Sequence, residues 1–145
     1  MQVTIKGKVY GFIWGTKCLI DAQRQLETDI NTYLGSIANP EVLTVLIYHG
    51  LKLWCSKNNE VMPFNSYDEF IEEYDTLFDE GFYQHIVTDL LESMYLGQEL
   101  HEYITKVYGI EFTDIKEVKE AKKKYLSTLE KSKSTSQAGG TKKKK

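Results

Sequence analysis

Few side chains in this 145-residue sequence occur at spacings that support bond chemistry. His49 and Cys55 lie six residues apart, whereas two metal ligands on one helix face are three or four residues apart. His85 and His101 lie far downstream. We therefore predict no metal site, and we interpret His49 as a hydrogen-bonded helix residue and the other two histidines as partly exposed ones.

The two cysteines are the next candidates for chemistry. A nucleophilic Cys18 would need a neighbouring base and a lowered thiol pKa, and the sequence supplies neither. Cys18 and Cys55 both lie in apolar helical patterns, so we predict two buried, reduced thiols of a cytosolic protein. The glycine motifs of phosphate and dinucleotide sites do not occur. The sequence thus predicts no enzymatic activity and no cofactor.

An acidic cluster near the middle of the chain has two interpretations. Paired carboxylates can transfer protons, but no histidine, nucleophile or glycine-rich loop accompanies these. The first interpretation is a solvated acidic face, and the second is a docking surface for a basic partner, with Glu72 and Glu73 as candidate contacts. The cluster comprises Asp68, Glu69, Glu72, Glu73, Asp75, Asp79 and Glu80.

The N-terminal residues predict a β-hairpin over residues 2–14. Apolar and polar residues alternate on both sides of a Gly7-Lys8 turn. An isolated hairpin is only marginally stable in water, so we expect this one to pack on the helices that follow. Phe12 and Trp14 end its second strand. Both are candidate partner contacts, with packing in the core as the alternative.

Two helices are expected next. Thr16 is the expected cap of the first, which extends over residues 16–34. Asn39 and the proline after it begin the second helix, which runs to about Ser56 and is apolar on nearly every side, as in a central helix. Gly50 in its interior indicates close packing at that point.

The rest of the chain predicts further helices. Ser66 and Glu69 have the spacing of a capping box and begin a short acidic helix. Gly81 separates this helix from a long apolar stripe. The stripe is interrupted at Gly97, so it predicts either one bent helix or two consecutive helices. A last helix with a thin apolar stripe is expected over residues 113–131.

These elements predict an α+β fold, with the N-terminal β-hairpin packed on a bundle of about five α-helices and a disordered lysine-rich tail. A single globular domain is expected over residues 1–131, with the hairpin at 2–14 and the helical bundle at 16–131. Residues 132–145 contain too few apolar side chains to order themselves, and we expect a disordered basic tail.

Charge is distributed unevenly along the chain. Residues 1–115 carry 18 acidic and 7 basic residues, a balance of −11, whereas residues 116–145 have a balance of +8. The body is therefore expected to repel nucleic acid. The final lysines, Lys142, Lys143, Lys144 and Lys145, have three interpretations: a solvated tail, a weak and salt-sensitive nucleic-acid contact, or a run of adenine codons at which a ribosome shifts frame.

Neither a secretory signal nor a membrane span is expected. The N-terminus lacks a charged segment followed by an apolar one, and the uncharged stretch Val42–Leu51 is too short to cross a bilayer. Hydrophobic residues make up 41% of the chain and charged residues 27%, which is typical of globular proteins.

Several of these segments together resemble a known family. The hairpin sequence from Ile5 to Phe12 has the form I-K-G-K-x-Y-x-F, a helix follows Trp14-Gly15, and the buried helix contains Tyr48-His49-Gly50-Leu51. An acidic helix and an aromatic-rich helix come next. Over roughly residues 3–108, this order resembles the tail assembly chaperones of long-tailed bacteriophages.

The resemblance implies a non-enzymatic protein that acts in the host bacterial cytoplasm and is not part of the mature virion. Such chaperones bind the tape measure protein, keep it soluble and promote polymerisation of the tail tube around it. Many are made in two lengths by ribosomal frameshifting, and the longer form recruits the tail tube protein. Lys142–Lys145 is then a candidate frameshift-site region, and a homo-oligomer is expected.

Two other functions fit the sequence. One is a small intracellular adaptor that docks a basic partner through the acidic helix. The other is a nucleic-acid-associated regulator that uses the basic tail, although the charge of the body makes nucleic acid the less expected partner.

Overall fold

The computed structural model describes residues 1–78 and 80–112, without the side chains of residues 80 and 82. In this part of the chain, an antiparallel β-hairpin comes first and six helices follow it. Strand β1 (Gln2–Ile5) pairs with β2 (Lys8–Gly11), with Val3 opposite Tyr10. The turn residues are Lys6 and Gly7, with φ of 51° and 80°. Both values are positive, as in the primed turns that match strand twist, so the predicted Gly7-Lys8 turn is wrong by one residue.

The predicted α+β class is confirmed. The described helices are α1 (Thr16–Leu26), α2 (Ile30–Leu34), α3 (Pro40–Lys57), α4 (Tyr67–Leu77), α5 (Glu80–Glu92) and α6 (Leu100–Tyr108). A second hairpin, β3 (Met94–Tyr95) and β4 (Gln98–Glu99), connects α5 to α6. The chain divides into two units between Glu111 and Phe112, and all these elements belong to the first. Among them, no helix combines the length and hydropathy that a membrane span requires.

Two reciprocal contacts between tryptophan and glycine attach the N-terminal hairpin to α3. A Cβ atom on Gly50 would lie only 2.7 Å from Cε3 of Trp14, and a Cβ atom on Gly11 only 2.5 Å from Nε1 of Trp54. The backbone N–H of Ile13 donates a hydrogen bond to the Gly50 carbonyl at 3.0 Å. The close packing predicted at Gly50 is therefore confirmed.

Aromatic residues fill the core between α3, α4 and the preceding loop. Phe70 is fully buried near the middle of α4. Five aromatic rings have centroids 5.3–6.4 Å from the Phe70 ring: Tyr48, Phe64, Tyr67, Tyr74 and Phe78. Phe70 therefore provides much of the packing that holds α4 on the bundle.

The predicted single helix over residues 16–34 is wrong. Thr16 is the first residue of α1 and not its cap, and Glu27 ends that helix in a left-handed conformation with φ of 55°. The carboxylate of Asp29 then accepts a hydrogen bond from the backbone N–H of Thr32 at 3.1 Å and caps α2. A side chain that bonds to nearby backbone in this way competes with continuation of the first helix.

Capping predicts the next two helix starts correctly. The side-chain oxygen of Asn39 accepts from the N–H of Glu41 at 2.8 Å, so α3 begins where the sequence indicated. Ser66 Oγ accepts from the N–H of Glu69 at 3.1 Å at the start of α4. The motif is not a full capping box, because the Glu69 carboxylate accepts from the backbone N–H of Asn65 and not from that of the cap residue Ser66.

The second half of the helical bundle departs from the sequence-based interpretation in two places. Helix α5 begins at Glu80, so Gly81 lies inside it and does not separate two helices. The long apolar stripe forms two helices, but the hairpin between them was not predicted. Its turn residues Leu96 and Gly97 both have positive φ. The helix predicted over residues 113–131 and the tail at 132–145 lie outside the described residues, as does the predicted domain end at 131.

Candidate functional site

Phe12 and Trp14 lie where the hairpin meets the bundle. Their rings stack with centroids 5.2 Å apart, and both side chains pack against the core. The indole Nε1–H of Trp14 donates to a carboxylate oxygen of Asp89 at 2.8 Å. Each ring therefore has a structural role, and their use as partner contacts stays a prediction.

Glu72 and Glu73 have different surroundings although they are adjacent in α4. Glu72 is exposed, whereas the carboxylate of Glu73 lies 3.5 Å from the Lys6 ammonium group. Glu69 approaches the same ammonium at 3.7 Å, so these two acids link α4 to the hairpin. Only Glu72 remains exposed for a partner. The lysines at 142–145 lie outside the described residues.

A groove of about 420 Å³ lies between the start of α3 and the exposed side of α4. Its floor contains aromatic rings and Ile71. The side chain of Ile71 is apolar and yet 38% exposed. The residues that line this groove are Pro40, Glu41, Thr44, Tyr67, Asp68, Ile71, Tyr74 and Asp75. We call it the acidic groove.

Hydrogen bonds fix one wall of the acidic groove. The Thr44 hydroxyl donates to the Pro40 carbonyl at 2.8 Å, and it lies 2.9 Å from the hydroxyl of Tyr67. Burial raises the pKa of Tyr67 and of Tyr74, so both phenols stay neutral. The Tyr74 hydroxyl is buried and has no hydrogen-bond partner among the described residues. The floor is therefore uncharged and largely apolar.

Carboxylates form the rim of the acidic groove. Glu41, Asp68 and Asp75 line it together with no basic residue, and none of the three forms an ion pair within the described part of the chain. Such a surface suits an apolar side chain flanked by cations. The sequence identified the acids of α4. It did not identify Glu41 as part of this surface.

A second groove, of about 580 Å³, lies between α1 and α3. Its lining residues are Lys17, Asp21, Arg24, Gln25, His49, Lys52, Leu53 and Ser56. We call it the basic groove. His49 is buried there, and its Nε2 lies 2.6 Å from the side-chain oxygen of Gln25. The predicted hydrogen-bonded role of His49 is confirmed.

Protonation of His49 is expected to destabilise the fold. Burial lowers the pKa of His49, and Lys52 and Lys17 act in the same direction against an opposing effect of Asp21. In the unfolded chain His49 titrates near the usual pH of about 6.5. Because the folded state resists protonation, this contribution to stability is complete above about pH 6.5 and is lost as the pH falls.

We therefore predict that wild type loses more stability between pH 7.5 and pH 5.5 than His49→Gln, which keeps a polar side chain but does not titrate. Urea unfolding of both proteins at the two pH values measures the difference. Equal losses in the two proteins would contradict the assignment, because the remaining titratable groups are common to both.

The other candidates for chemistry have structural explanations. Cys18 and Cys55 are free, buried thiols, as predicted. Burial raises the pKa of Cys18 to about 12, and its thiol donates to the Leu46 carbonyl at 3.4 Å. The thiol is therefore protonated and poorly nucleophilic near neutral pH.

One cluster of potential metal ligands occurs among the described residues, at the start of α6. Ligand atoms of Glu99, His101 and Glu102 lie within 4.8 Å of one another. His101 Nε2 lies 2.8 Å from the Glu99 carboxylate, and the Glu102 carboxylate accepts from the backbone N–H of Glu99 at 3.2 Å. These bonds account for the cluster as a stabilised helix start.

Comparisons with protein-family models, with curated proteins and with solved structures give no match to this chain. The two grooves are therefore interpreted from their own shape and charge.

Proposed function

We propose that this protein is a tail assembly chaperone of a long-tailed bacteriophage. It binds the tape measure protein, keeps it soluble and promotes polymerisation of the tail tube around it. The sequence resemblance over residues 3–108 supports the proposal. The structural observation that carries it is the acidic groove, because its apolar floor and charged rim suit a helical client.

The floor supplies the attraction for an apolar client. A helix that presents one apolar stripe binds a groove of apolar and aromatic side chains. Ile71 lies exposed in the groove between Tyr67 and Tyr74, so a client side chain seated there removes apolar surface of both partners from water. This contact is made without bond chemistry.

The rim supplies orientation. Glu41, Asp68 and Asp75 attract basic residues beside the client's apolar stripe. Exposed charges of this kind increase the rate of association and fix the register more than they increase affinity. The client segments bound in the groove therefore carry lysine or arginine next to leucine, isoleucine or valine.

The proposal includes a cellular setting. The protein acts in the host bacterial cytoplasm and is not part of the mature virion. It forms a homo-oligomer, because several linked grooves bind one long client with an avidity that a single groove lacks. A longer form, made by frameshifting at the codons of Lys142–Lys145, recruits the tail tube protein. Sequencing the gene tests this last element: it requires a slippery adenine run and an overlapping downstream frame.

The experiment co-expresses this protein with the longest predominantly helical protein that the same gene cluster encodes. Wild type should keep that product soluble and co-purify with it. Ile71→Arg places a charge on the groove floor and should weaken client binding about tenfold, which corresponds to about 1.4 kcal/mol of binding free energy, and so lower the soluble yield. Val61→Arg is the matched control, since Val61 is 83% exposed and lies outside the groove.

Two results would refute the proposal. One is a long product that is fully soluble without this protein. The other is Ile71→Arg performing as well as Val61→Arg while circular dichroism shows both variants folded.

An adaptor that docks a basic partner through α4 is the second candidate, favoured by Glu72, which is exposed and forms no ion pair within the described residues. The sequence indicated Glu72 and Glu73 as candidate contacts for such a partner. The structure makes Glu72→Lys the cleaner variant, because Glu73 already pairs with Lys6. An adaptor would lose a short basic partner with Glu72→Lys and would leave the solubility of a long helical client unchanged.

A further inference from the structure

We propose that the basic groove between α1 and α3 is a second binding site, whose ligand is an acidic segment of a partner protein. This inference goes beyond the proposed chaperone function and does not depend on it. The two grooves use different parts of α3: the acidic groove takes Pro40, Glu41 and Thr44 near its start, and the basic groove takes its second half from His49 to Ser56.

The first argument is the concentration of positive charge. Residues 1–115 carry only seven basic residues against 18 acidic ones, yet three of the seven line this groove: Lys17, Arg24 and Lys52. Two others, Lys6 and Lys8, are paired with glutamates elsewhere. Positive charge gathered on one groove of an acidic body marks that groove as the place where an anionic partner is attracted.

The second argument is the arrangement of these cations. Lys17 and Arg24 lie seven residues apart, about two turns of α1. The carboxylate of Asp21 between them lies 2.8 Å from the Lys17 ammonium and 3.6 Å from the Arg24 guanidinium. One acid therefore holds two cations in place and neutralises only one of them. Lys52 makes no ion pair within the described residues, so the groove keeps an excess of positive charge.

The start of α1 adds to this field. Its first turn contains no acidic residue, and no side chain caps its free backbone N–H groups. Lys17 is the second residue of the helix, so the positive end of the helix dipole lies beside the rim. A helix N-terminus by itself would specify no ligand. Here its partial positive charge adds to the charges of Lys17, Arg24 and Lys52.

The floor of the groove restricts the ligand further. Leu53 is half-buried there, and His49 is buried, hydrogen-bonded to Gln25 and kept neutral by its surroundings. A ligand that fits this surface carries an apolar group with carboxylates on both sides. A protein segment in which leucine alternates with glutamate or aspartate has that chemistry.

Size and charge distinguish a peptide from other anions. The volume of about 580 Å³ far exceeds the requirement of one phosphate ion, and the lining consists of side chains spread along two helices. A row of separated cations matches several carboxylates on a chain. Nucleic acid would meet the same cations but would be repelled by the excess of eleven negative charges on the body.

The experiment uses the full chain and two synthetic 18-residue helical peptides with the same leucine stripe. One peptide has glutamates beside the stripe and the other has lysines. Calorimetry at two salt concentrations measures both affinities, and NMR of the His49 imidazole reports binding at the basic groove. The glutamate peptide should shift the His49 resonances and should bind more weakly at high salt.

The test variant is Arg24→Glu with Lys52→Glu, and the control is Lys57→Glu, which changes an exposed lysine of α3 outside the groove. The double variant should weaken binding of the glutamate peptide about tenfold or more and leave the lysine peptide unaffected. The control should reduce binding of the glutamate peptide much less. Circular dichroism establishes that all three proteins are folded.

Several results would overturn the inference: no His49 shift with the glutamate peptide, equal weakening by the control, or displacement of the peptide by millimolar inorganic phosphate. A wild-type oligomer that the double variant converts to monomers would also overturn it, because the occupant would then be a second copy of this chain.

The lysine peptide tests the proposed function separately. Asp68→Lys with Asp75→Lys should weaken its binding about tenfold or more and spare the glutamate peptide. If the lysine peptide does not bind and the glutamate peptide does, the client site proposed in the acidic groove is wrong and the basic groove stands. The converse result leaves the client site standing and refutes the second site.

Discussion

Replacement of Phe70 by alanine is expected to lower the free energy of unfolding by about 3–5 kcal/mol, the usual cost of truncating a buried phenylalanine. Phe70 has no exposed surface, and five aromatic rings surround it. The truncation removes ring contacts as well as buried area and leaves a cavity beneath α4. Urea denaturation at 25 °C, followed by circular dichroism and tryptophan fluorescence, measures the loss.

The adjacent residue provides the control for Phe70. Ile71→Ala truncates a neighbouring apolar side chain that is 38% exposed on the other side of α4, so its cost should be about 1 kcal/mol or less. If Phe70→Ala were equally mild, Phe70 would not be the main attachment of α4.

Phe70→Ala is also expected to affect the acidic groove. Five of the lining residues of that groove lie on α4, from Tyr67 to Asp75. A helix that has lost its principal core contact opens locally before the whole protein unfolds. We expect Phe70→Ala to lose the lysine peptide under conditions in which the glutamate peptide, bound by α1 and α3, is retained. Simultaneous loss of both peptides would indicate global unfolding instead.

The parts of the fold that sequence predicted correctly depend on strong local signals. Asn39 with the proline after it specified the start of α3, and Ser66 specified the start of α4. Glycine inside an apolar helix indicated a close approach, and Trp14 occupies that space at Gly50. In each case a short segment determines its own structure.

The errors arose where two local tendencies compete. Residues 16–34 keep a helical apolar spacing, but Glu27 ends one helix and the Asp29 cap starts another without changing that spacing. The turn at Leu96 and Gly97 was hidden because leucine rarely adopts the left-handed conformation that it has there. Apolar periodicity alone shows neither event.

The grooves were less predictable than the elements. The acids of α4 were visible in sequence, but their groove also requires Glu41 and Thr44 from the start of α3, more than twenty residues earlier in the chain. The basic groove brings together Lys17, Arg24 and Lys52, which are isolated in the sequence and attract no notice there. Tertiary packing of α3 against its two neighbours creates both surfaces.

Replacement of Gly50 by alanine is expected to destabilise the protein by about 1–2 kcal/mol, opposite in sign to the usual effect of this change. In an unhindered helix interior, alanine is favoured over glycine by about 1 kcal/mol. Here the new methyl group would overlap the Trp14 ring, whose Cε3 and Cη2 atoms lie within 2.7 and 2.9 Å of the Cβ position. Overpacking of this kind costs about 1–3 kcal/mol, and it also displaces the Trp14 bond to Asp89.

A double-mutant cycle decides whether this ring contact causes the loss from Gly50→Ala. In a Trp14→Leu background the ring is absent, so Gly50→Ala should become neutral or stabilising and the coupling energy should reach about 2 kcal/mol. Ser56→Ala, at an exposed position of the same helix, is the control and should gain a few tenths of a kcal/mol. If Gly50→Ala stabilised the wild-type protein, Trp14 would not pack against α3 as described. The hairpin would then lack one of its two tryptophan–glycine contacts with α3.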